Sequence, residues 1–239
     1  MNLILIQPNE WPEPLSSGEL TISDHRFEYI KNVHKPTPGD FLRVGLVQGK
    51  MGRGEVLEIH QSAIRLRIKL ERNPPAASPA TLVLALPRPK VLRRTLQLAT
   101  TLGVKDIFLI NSYRVEKSFW QTPFLDEDSI HQQLLLGLEQ AQDTQLPKVH
   151  LKKRFKPFVQ DELSSIVTNK EALVAHPKDT DSPFPSHIKN PTCLAIGPEG
   201  GFIPYEIDLL QSIGFVAKSL GPRILKVETA VAVTLGRCL

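Results

Sequence analysis

Cysteine is scarce in this chain: Cys193 and Cys238 are the two among 239 residues. Two thiols are too few for a disulfide framework or a four-ligand zinc site. They read as small buried residues in a reducing compartment, which predicts a cytoplasmic protein. Long apolar runs are missing too. Leu82–Leu86 and Leu134–Leu136 are far too short to span a bilayer. The start, Met-Asn-Leu-Ile-Leu-Ile-Gln-Pro, has no basic region and no small-residue cleavage site, so no secretory leader is expected. Several catalytic signatures are also absent. There is no G-x-G-x-x-G, no G-x-x-x-x-G-K-[ST] and no G-x-S-x-G, which argues against dinucleotide, P-loop and hydrolase chemistry. The seven histidines have no ligand spacing, so no metal is expected.

What is present is a globular composition, with 41% hydrophobic and 23% charged residues, and a net charge of +4. The basic balance permits an anionic partner. Arg88, Lys90, Arg93 and Arg94 form one basic cluster, and Lys152, Lys153, Arg154 and Lys156 form another. Such groups neutralise nucleic-acid phosphates or simply face solvent.

Asn73-Pro-Pro-Ala-Ala-Ser-Pro79 has three prolines in seven residues and cannot lie inside a helix or a central strand. It reads as a linker over 73–79 between a domain at 1–72 and another at 80–239. The first reads as β. Phe41–Val47, Gly54–Ile59 and Ala63–Leu70 are strand-like, with Gly49, Gly52 and Gly54 as turn punctuation around a hairpin tip. A short helix is expected near Asp24–Asn32, capped by Ser23 or Asp24. Ile64, Leu66, Ile68 and Leu70 alternate with Arg65, Arg67 and Lys69, giving one apolar and one cationic face. Short strands at this density suggest a small barrel. In the second domain strands alternate with helices: Leu82–Leu86, Lys90–Leu102 ending at Gly103, Ile107–Ile110, Ser129–Gln142, Leu173–Ala175, Leu194–Ile196, Tyr205–Ile213 and Val227–Leu239. That order predicts a mainly parallel sheet covered on both faces, with ligands at the carboxyl ends of its strands.

Two Gly-Pro loops stand at such ends. Leu194-Ala-Ile-Gly-Pro-Glu-Gly-Gly-Phe202 leads into a helix opened by Pro204-Tyr-Glu206, and Leu220-Gly-Pro-Arg-Ile-Leu-Lys-Val-Glu-Thr229 leads into the last helix. Glycine brings backbone N–H and C=O groups close to a ligand, and a helix N-terminus adds partial positive charge. Two such loops suggest one pocket with two walls. Glu228 and Thr229 are equally suited to capping the last helix.

Together these residues resemble the RsmE family of 16S rRNA uridine-N3 methyltransferases, in the SPOUT superfamily. Ile196-Gly-Pro-Glu-Gly-Gly-Phe202 with Glu206, and Leu220-Gly-Pro-Arg-Ile-Leu-Lys-Val-Glu-Thr-Ala230, carry the likeness. Leu102-Gly-Val104, Glu139-Gln140, Pro147, His176-Pro177 and Pro38-Gly-Asp40 add to it. The resemblance implies an α/β protein with an RNA-binding PUA-like β-barrel followed by a SPOUT domain with a trefoil knot. It implies a homodimer without metal that transfers methyl from S-adenosylmethionine to a uridine of rRNA in the 30S subunit. On this reading Ile196, Gly197, Gly200, Gly201, Leu220, Gly221, Ile224, Leu225 and Thr229 bind the cofactor. Arg223 stabilises the uracil anion, and Glu199 or Glu228 is the candidate base. Arg65, Arg67, Arg88, Arg93, Arg94, Arg114 and Lys117 are the RNA contacts. Asp143 and Gln145 stand where the family usually has arginines, and Lys226 replaces another. These departures keep two alternatives open: a non-catalytic RNA-binding protein of the same fold, and a methyltransferase for another RNA uridine. A nicotinamide oxidoreductase has only the alternating strands and glycine loops in its favour.

Overall fold

The computed structural model describes residues 2–11, 16–177 and 182–239. It divides into two compact units: residues 1–76 with 135–146, and residues 77–134 with 147–239. The architecture is mixed α/β, with a curled sheet in the first unit and a parallel sheet in the second.

The first unit is built on strands β1 (Ile4–Ile6), β2 (Ser17–Ile22), β3 (Phe41–Leu46), β4 (Met51–Ile59) and β5 (Ile64–Arg72), in the sheet order β1-β3-β4-β5-β2. β1 joins β3 in parallel and the other pairs are antiparallel. The alternation of β5 works as its sequence implies. Ile64, Leu66, Ile68 and Leu70 are buried in a core with Ile4, Phe27 and Val44. The opposite face is not a bare cationic surface. Arg67 sits between Glu55 at 3.2 Å and Glu19 at 3.5 Å, and Arg65 meets Glu58 at 2.5 Å and Glu19 at 3.6 Å. These are cross-strand charge pairs.

One local expectation needs correction and another holds. Gly52 and Gly54 do not punctuate turns; both lie inside β4, and the hairpin turn falls at Val47–Gly49. At Gly52 the backbone crowds β5, where a Cβ would run into the Lys69 carbonyl oxygen. The helix near Asp24 is α1 (His25–Tyr29), continued by a wider π turn over Ile30–His34. Asp24 caps it, accepting the Arg26 N–H at 2.9 Å.

The segment 135–146 belongs to the first unit because it supplies core. Leu138 packs with Leu3, Leu5, Val47 and Met51, backed by Leu135 and Leu146. Thr144 Oγ1 donates to Gly49 O at 2.6 Å, and Gln48 N donates to Thr144 O at 2.8 Å. Asp143 is buried and accepts the Gln145 N–H at 2.9 Å. It shapes the turn that carries this segment along the β3–β4 hairpin.

A buried guanidinium locks the N-terminal segment to α1. Arg26 donates to Leu5 O at 2.7 Å, to Asp24 at 2.6 Å and to Glu10. Burial works against charge on Glu10 and Asp24, but the Arg26 guanidinium and neighbouring backbone N–H groups outweigh it and hold both carboxyls below their usual range.

The second unit is a six-stranded parallel sheet. Its strands are β6 (Ala80–Ala85), β7 (Asp106–Ile110), β8 (Lys148–Lys152), β9 (Glu171–Ala175), β10 (Thr192–Ile196) and β11 (Val216–Lys218), in the order β11-β9-β10-β6-β7-β8. β6 and β10 are buried throughout, as central strands covered on both faces must be. β10 enters between two strands laid down earlier. The helices are α2 (Pro89–Thr101), α3 (Glu127–Ala141) as far as Leu134, the short α4 (Phe155–Pro157) and α5 (Ser164–Ile166) joined by a π segment, α6 (Pro204–Ser212) and α7 (Val227–Leu235). α2 buries Leu92, Thr95, Leu96, Ala99 and Thr100, a single stripe at helical spacing. It ends at Gly103, whose φ of +79° suits a residue without Cβ. The last helix is shorter than its sequence suggests and closes in a 3-10 turn over Gly236–Cys238. Both cysteines are buried, and burial pushes the Cys193 thiol up to about 12, so it stays protonated and unreactive.

The Arg26 cluster predicts acid sensitivity. Carboxyls held low in the fold contribute stability that is complete above their ordinary range and disappears as pH falls from about 4.5 toward 2. Chemical denaturation of the wild type should show that loss. Arg26→Met should be destabilised at pH 7 by roughly 2–4 kcal/mol and lose less on acidification; an unchanged acid slope would show that other groups set it.

Candidate active site

The two Gly-Pro loops meet. β10 and β11 flank β9, so the loops leaving their carboxyl ends stand side by side. Between them lies a cavity. Its floor is Ala175 at the end of β9 and Ile196 at the end of β10. Gly197, Pro198, Glu199, Gly201 and Phe202 form one wall. Leu220, Gly221, Arg223, Ile224 and Leu225 form the other, with Val227 and Ala230 of α7 behind.

Backbone geometry explains the glycines. Gly201 closes a turn, its N–H donating to Pro198 O at 2.8 Å, and has φ of +73°. Gly221 has φ of +115°, and its N–H is held by Ser219 Oγ at 3.2 Å. Both conformations strain any residue with a Cβ. Gly197 is needed for space, since a Cβ there would come within 3.0 Å of Phe202 N.

The first loop is tied down by a buried carboxylate. Glu206, on the first turn of α6, accepts the Ile203 N–H at 3.0 Å and the Tyr113 N–H at 2.7 Å. Arg114 donates to Gly200 O, and Arg88 N donates to Glu199 Oε1 at 3.2 Å. Segments after β6, β7 and β10 are thereby joined.

A second, more open cavity of about 440 Å³ adjoins it. It shares Glu199, Ile224, Leu225 and Val227 with the first and adds Arg88, Val91, Lys226 and Glu228. α7 starts here, and its N-cap residue, Lys226, makes no side-chain cap. Glu228 and Thr229 therefore do not serve as that cap. Among the described residues Glu228 and Arg223 have no hydrogen-bond or ion-pair partner, whereas Glu199 faces Arg88.

Of the residues singled out from the sequence for cofactor binding, Ile196, Gly197, Gly201, Leu220, Gly221, Ile224 and Leu225 line the first cavity. Gly200 and Thr229 do not line either one. Glu199 and Arg223 line the first and Glu228 the second. Arg93 lies over the Phe124 ring at 5.0 Å, Arg94 and Lys117 are exposed, and Arg65 and Arg67 belong to the other unit. The cofactor assignment from sequence left out Ala175, His176, Pro177, Pro198, Phe202, Val227 and Ala230. All but Ala175 stand in the motifs that carry the resemblance, and Ala175 had no signal beyond apolar character at a strand end. Among the described residues no group of His, Cys, Asp or Glu could hold a metal ion, and no helix is long and apolar enough to cross a membrane.

Residues 74–238 match the family model of the RNA methyltransferase domain. The ribosomal RNA small subunit methyltransferase E of Treponema pallidum is 30% identical over 234 residues, covering 96% of this chain and 87% of that protein. The chain belongs to the ribosomal RNA small subunit methyltransferase E family. The Mycobacterium bovis member is 28% identical over 213 residues, covering 87% of this chain and 81% of its own. Two solved structures share the fold. One is the Neisseria gonorrhoeae ribosomal RNA small subunit methyltransferase E bound to S-adenosyl methionine, at TM-score 0.69 and 20% identity, covering 99% of this chain and 95% of that one. The other is a methyltransferase from Legionella pneumophila in complex with the cofactor SAM, at TM-score 0.72 and 24% identity, covering 98% and 95%.

Glu206 gives a direct test of this wall. Glu206→Ala leaves the Ile203 and Tyr113 N–H groups without their acceptor, so unfolding free energy should fall by roughly 2–4 kcal/mol in urea titrations. A change within about 0.5 kcal/mol would show that water replaces the carboxylate at both sites.

Proposed function

We propose that this protein transfers a methyl group from S-adenosylmethionine to N3 of a uridine in small-subunit ribosomal RNA. Family membership and the solved relatives that carry this cofactor support the donor. The observation that carries the reading is a pair of adjoining cavities that share Glu199, Ile224, Leu225 and Val227: methyl transfer needs donor and acceptor seated next to each other, with the acceptor nitrogen in direct contact with the methyl carbon.

The residues fit the donor. Gly197 lets the first loop close tightly against Phe202, which sets the shape of that wall. Ile196, Leu220 and Leu225 offer apolar surface to a flat base, and loop N–H and C=O groups suit its polar edge. When bound, the cofactor supplies an electrophilic methyl on a positively charged sulfur. The uracil occupies the second cavity, with N3 toward the first. Uracil N3 is a weak nucleophile until it loses its proton. We assign that proton to Glu228, whose carboxylate is free, and give Glu199 a positioning role because Arg88 already engages it. Arg223 and the uncapped start of α7 lower the energy of the uracil anion. The N3–C bond forms as the C–S bond breaks, and its electron pair leaves with the sulfur.

We further propose the finer features that the family resemblance implies. The first unit is a PUA-like barrel, and the loops after β10 and β11 form a trefoil knot. The domains are 1–72 and 80–239, joined by 73–79. Arg88, Arg93, Arg94, Arg114 and Lys117 contact RNA, and the substrate is the 30S particle. The working form is a cytoplasmic homodimer, an assignment supported by Ile224, 85% exposed at the cleft mouth.

The test is transfer of labelled methyl from S-adenosylmethionine to small subunits lacking uridine-N3 methylation, with naked 16S rRNA in parallel and the labelled nucleotide mapped. Label at uridine N3 is expected. Glu228→Gln should lower turnover by about 10²–10⁴ and Arg223→Ala by about 10²–10³, both with folding intact. Full activity in Glu228→Gln would exclude it as the base. No label on either RNA would overturn the substrate, and no label without cofactor binding would favour the non-catalytic alternative.

A further inference from the structure

The two candidate RNA-facing surfaces of this chain differ in their counter-charges. On the sheet of the first unit, Arg65 and Arg67 are matched by Glu19, Glu55 and Glu58, and Lys69 by Glu71 at 2.8 Å. A surface so neutralised releases few counterions on meeting a phosphate chain. The second unit is different at the carboxyl ends of β6, β7 and β8. These strands are neighbours in that order and run parallel, with Leu84 beside Leu109 and Leu109 beside Leu151. Their ends therefore form a short row, with adjacent strands about 4.8 Å apart. Arg88 follows β6, Arg114 and Lys117 follow β7, and Lys153, Arg154 and Lys156 follow β8. All of these are exposed.

The row also holds a ring. The Trp120 indole N–H donates to Asn111 Oδ1 at 2.9 Å, and the Lys153 ammonium lies 6.0 Å from the ring centre. Asn111 N in turn donates to Lys152 O at 2.9 Å, which fastens the loop after β7 to the end of β8. Two carboxylates stand near. Glu162 is taken by Lys152 at 2.5 Å, and Glu116 is exposed. The other end of the row reaches the cleft, where Arg114 donates to Gly200 O and Arg88 meets Glu199.

We propose that single-stranded RNA runs along these strand ends, with Lys153, Arg154 and Lys156 gripping phosphates, a base stacked at Trp120, and the chain leading over Arg114 to the cleft. Cations that follow a backbone beside an aromatic platform are the general means of holding single strands. This inference rests on the RNA methyltransferase reading above. It moves the main grip from the arginine face of the first unit to the catalytic unit.

The test is fluorescence anisotropy of a labelled single-stranded RNA of about twelve nucleotides, titrated with full-length protein at several salt concentrations. The triple variant K153Q/R154Q/K156Q should bind at least tenfold more weakly, and its salt dependence should be shallower by about 2, at roughly 0.7 for each lost phosphate contact. The double variant R65Q/R67Q should bind like the wild type. Thermal unfolding and S-adenosylmethionine binding are measured on each protein, so that a folding defect or an empty cofactor site is seen separately. A large loss in R65Q/R67Q with none in the triple variant would overturn the track and leave the methyl-transfer reading standing. A wild type that binds cofactor but not this RNA would overturn the track, whereas the methyl-transfer reading stands or falls with label transfer to the small subunit.

Discussion

The place of β10 decides the rest of the second unit. It enters between β9 and β6 after those strands are set, with its whole length buried and hydrogen-bonded on both sides. Its carboxyl end is therefore fixed against two rigid neighbours, and the loop that follows cannot drift. β11 joins the far edge of β9 by only three residues, yet that register brings the second loop level with the first. The cleft is a consequence of strand order, with loop chemistry adapted to it.

Rigidity then passes outward through hydrogen bonds to the backbone. Glu206 holds two N–H groups from different loops, Ser219 holds Gly221, and Arg114 holds Gly200. Among the described residues the Arg223 guanidinium and the Glu228 carboxylate have no partner, which leaves them available for the roles proposed above. A site organised in this way stabilises developing charge with little rearrangement.

Much of this was legible in the residues. The alternation in β5, the stripe of α2, the stop at Gly103 and both loops announce themselves by period or by glycine. The parallel sheet follows from alternating strands and helices. Other features left no local trace. Gly52 and Gly54 look like turn residues, but their reason is the closeness of β5 and of Val44, a long-range contact. The glutamates that neutralise Arg65 and Arg67 come from β2 and β4, so the charge of that face depends on pairing that no single strand displays. The attachment of 135–146 to the first unit rests on Leu138 reaching Leu3 and Leu5, across most of the chain. The insertion of β10 is likewise a property of order in space, which periodicity does not encode.

The most direct measurement is calorimetric titration of S-adenosylmethionine into the wild type and into Gly197→Val and Gly221→Val. The wild type should bind one cofactor per chain. Both variants should lose affinity by at least tenfold while still unfolding cooperatively, because one crowds the first loop against Phe202 and the other strains the second wall. Wild-type affinity in both variants would place the cofactor elsewhere and contradict the account.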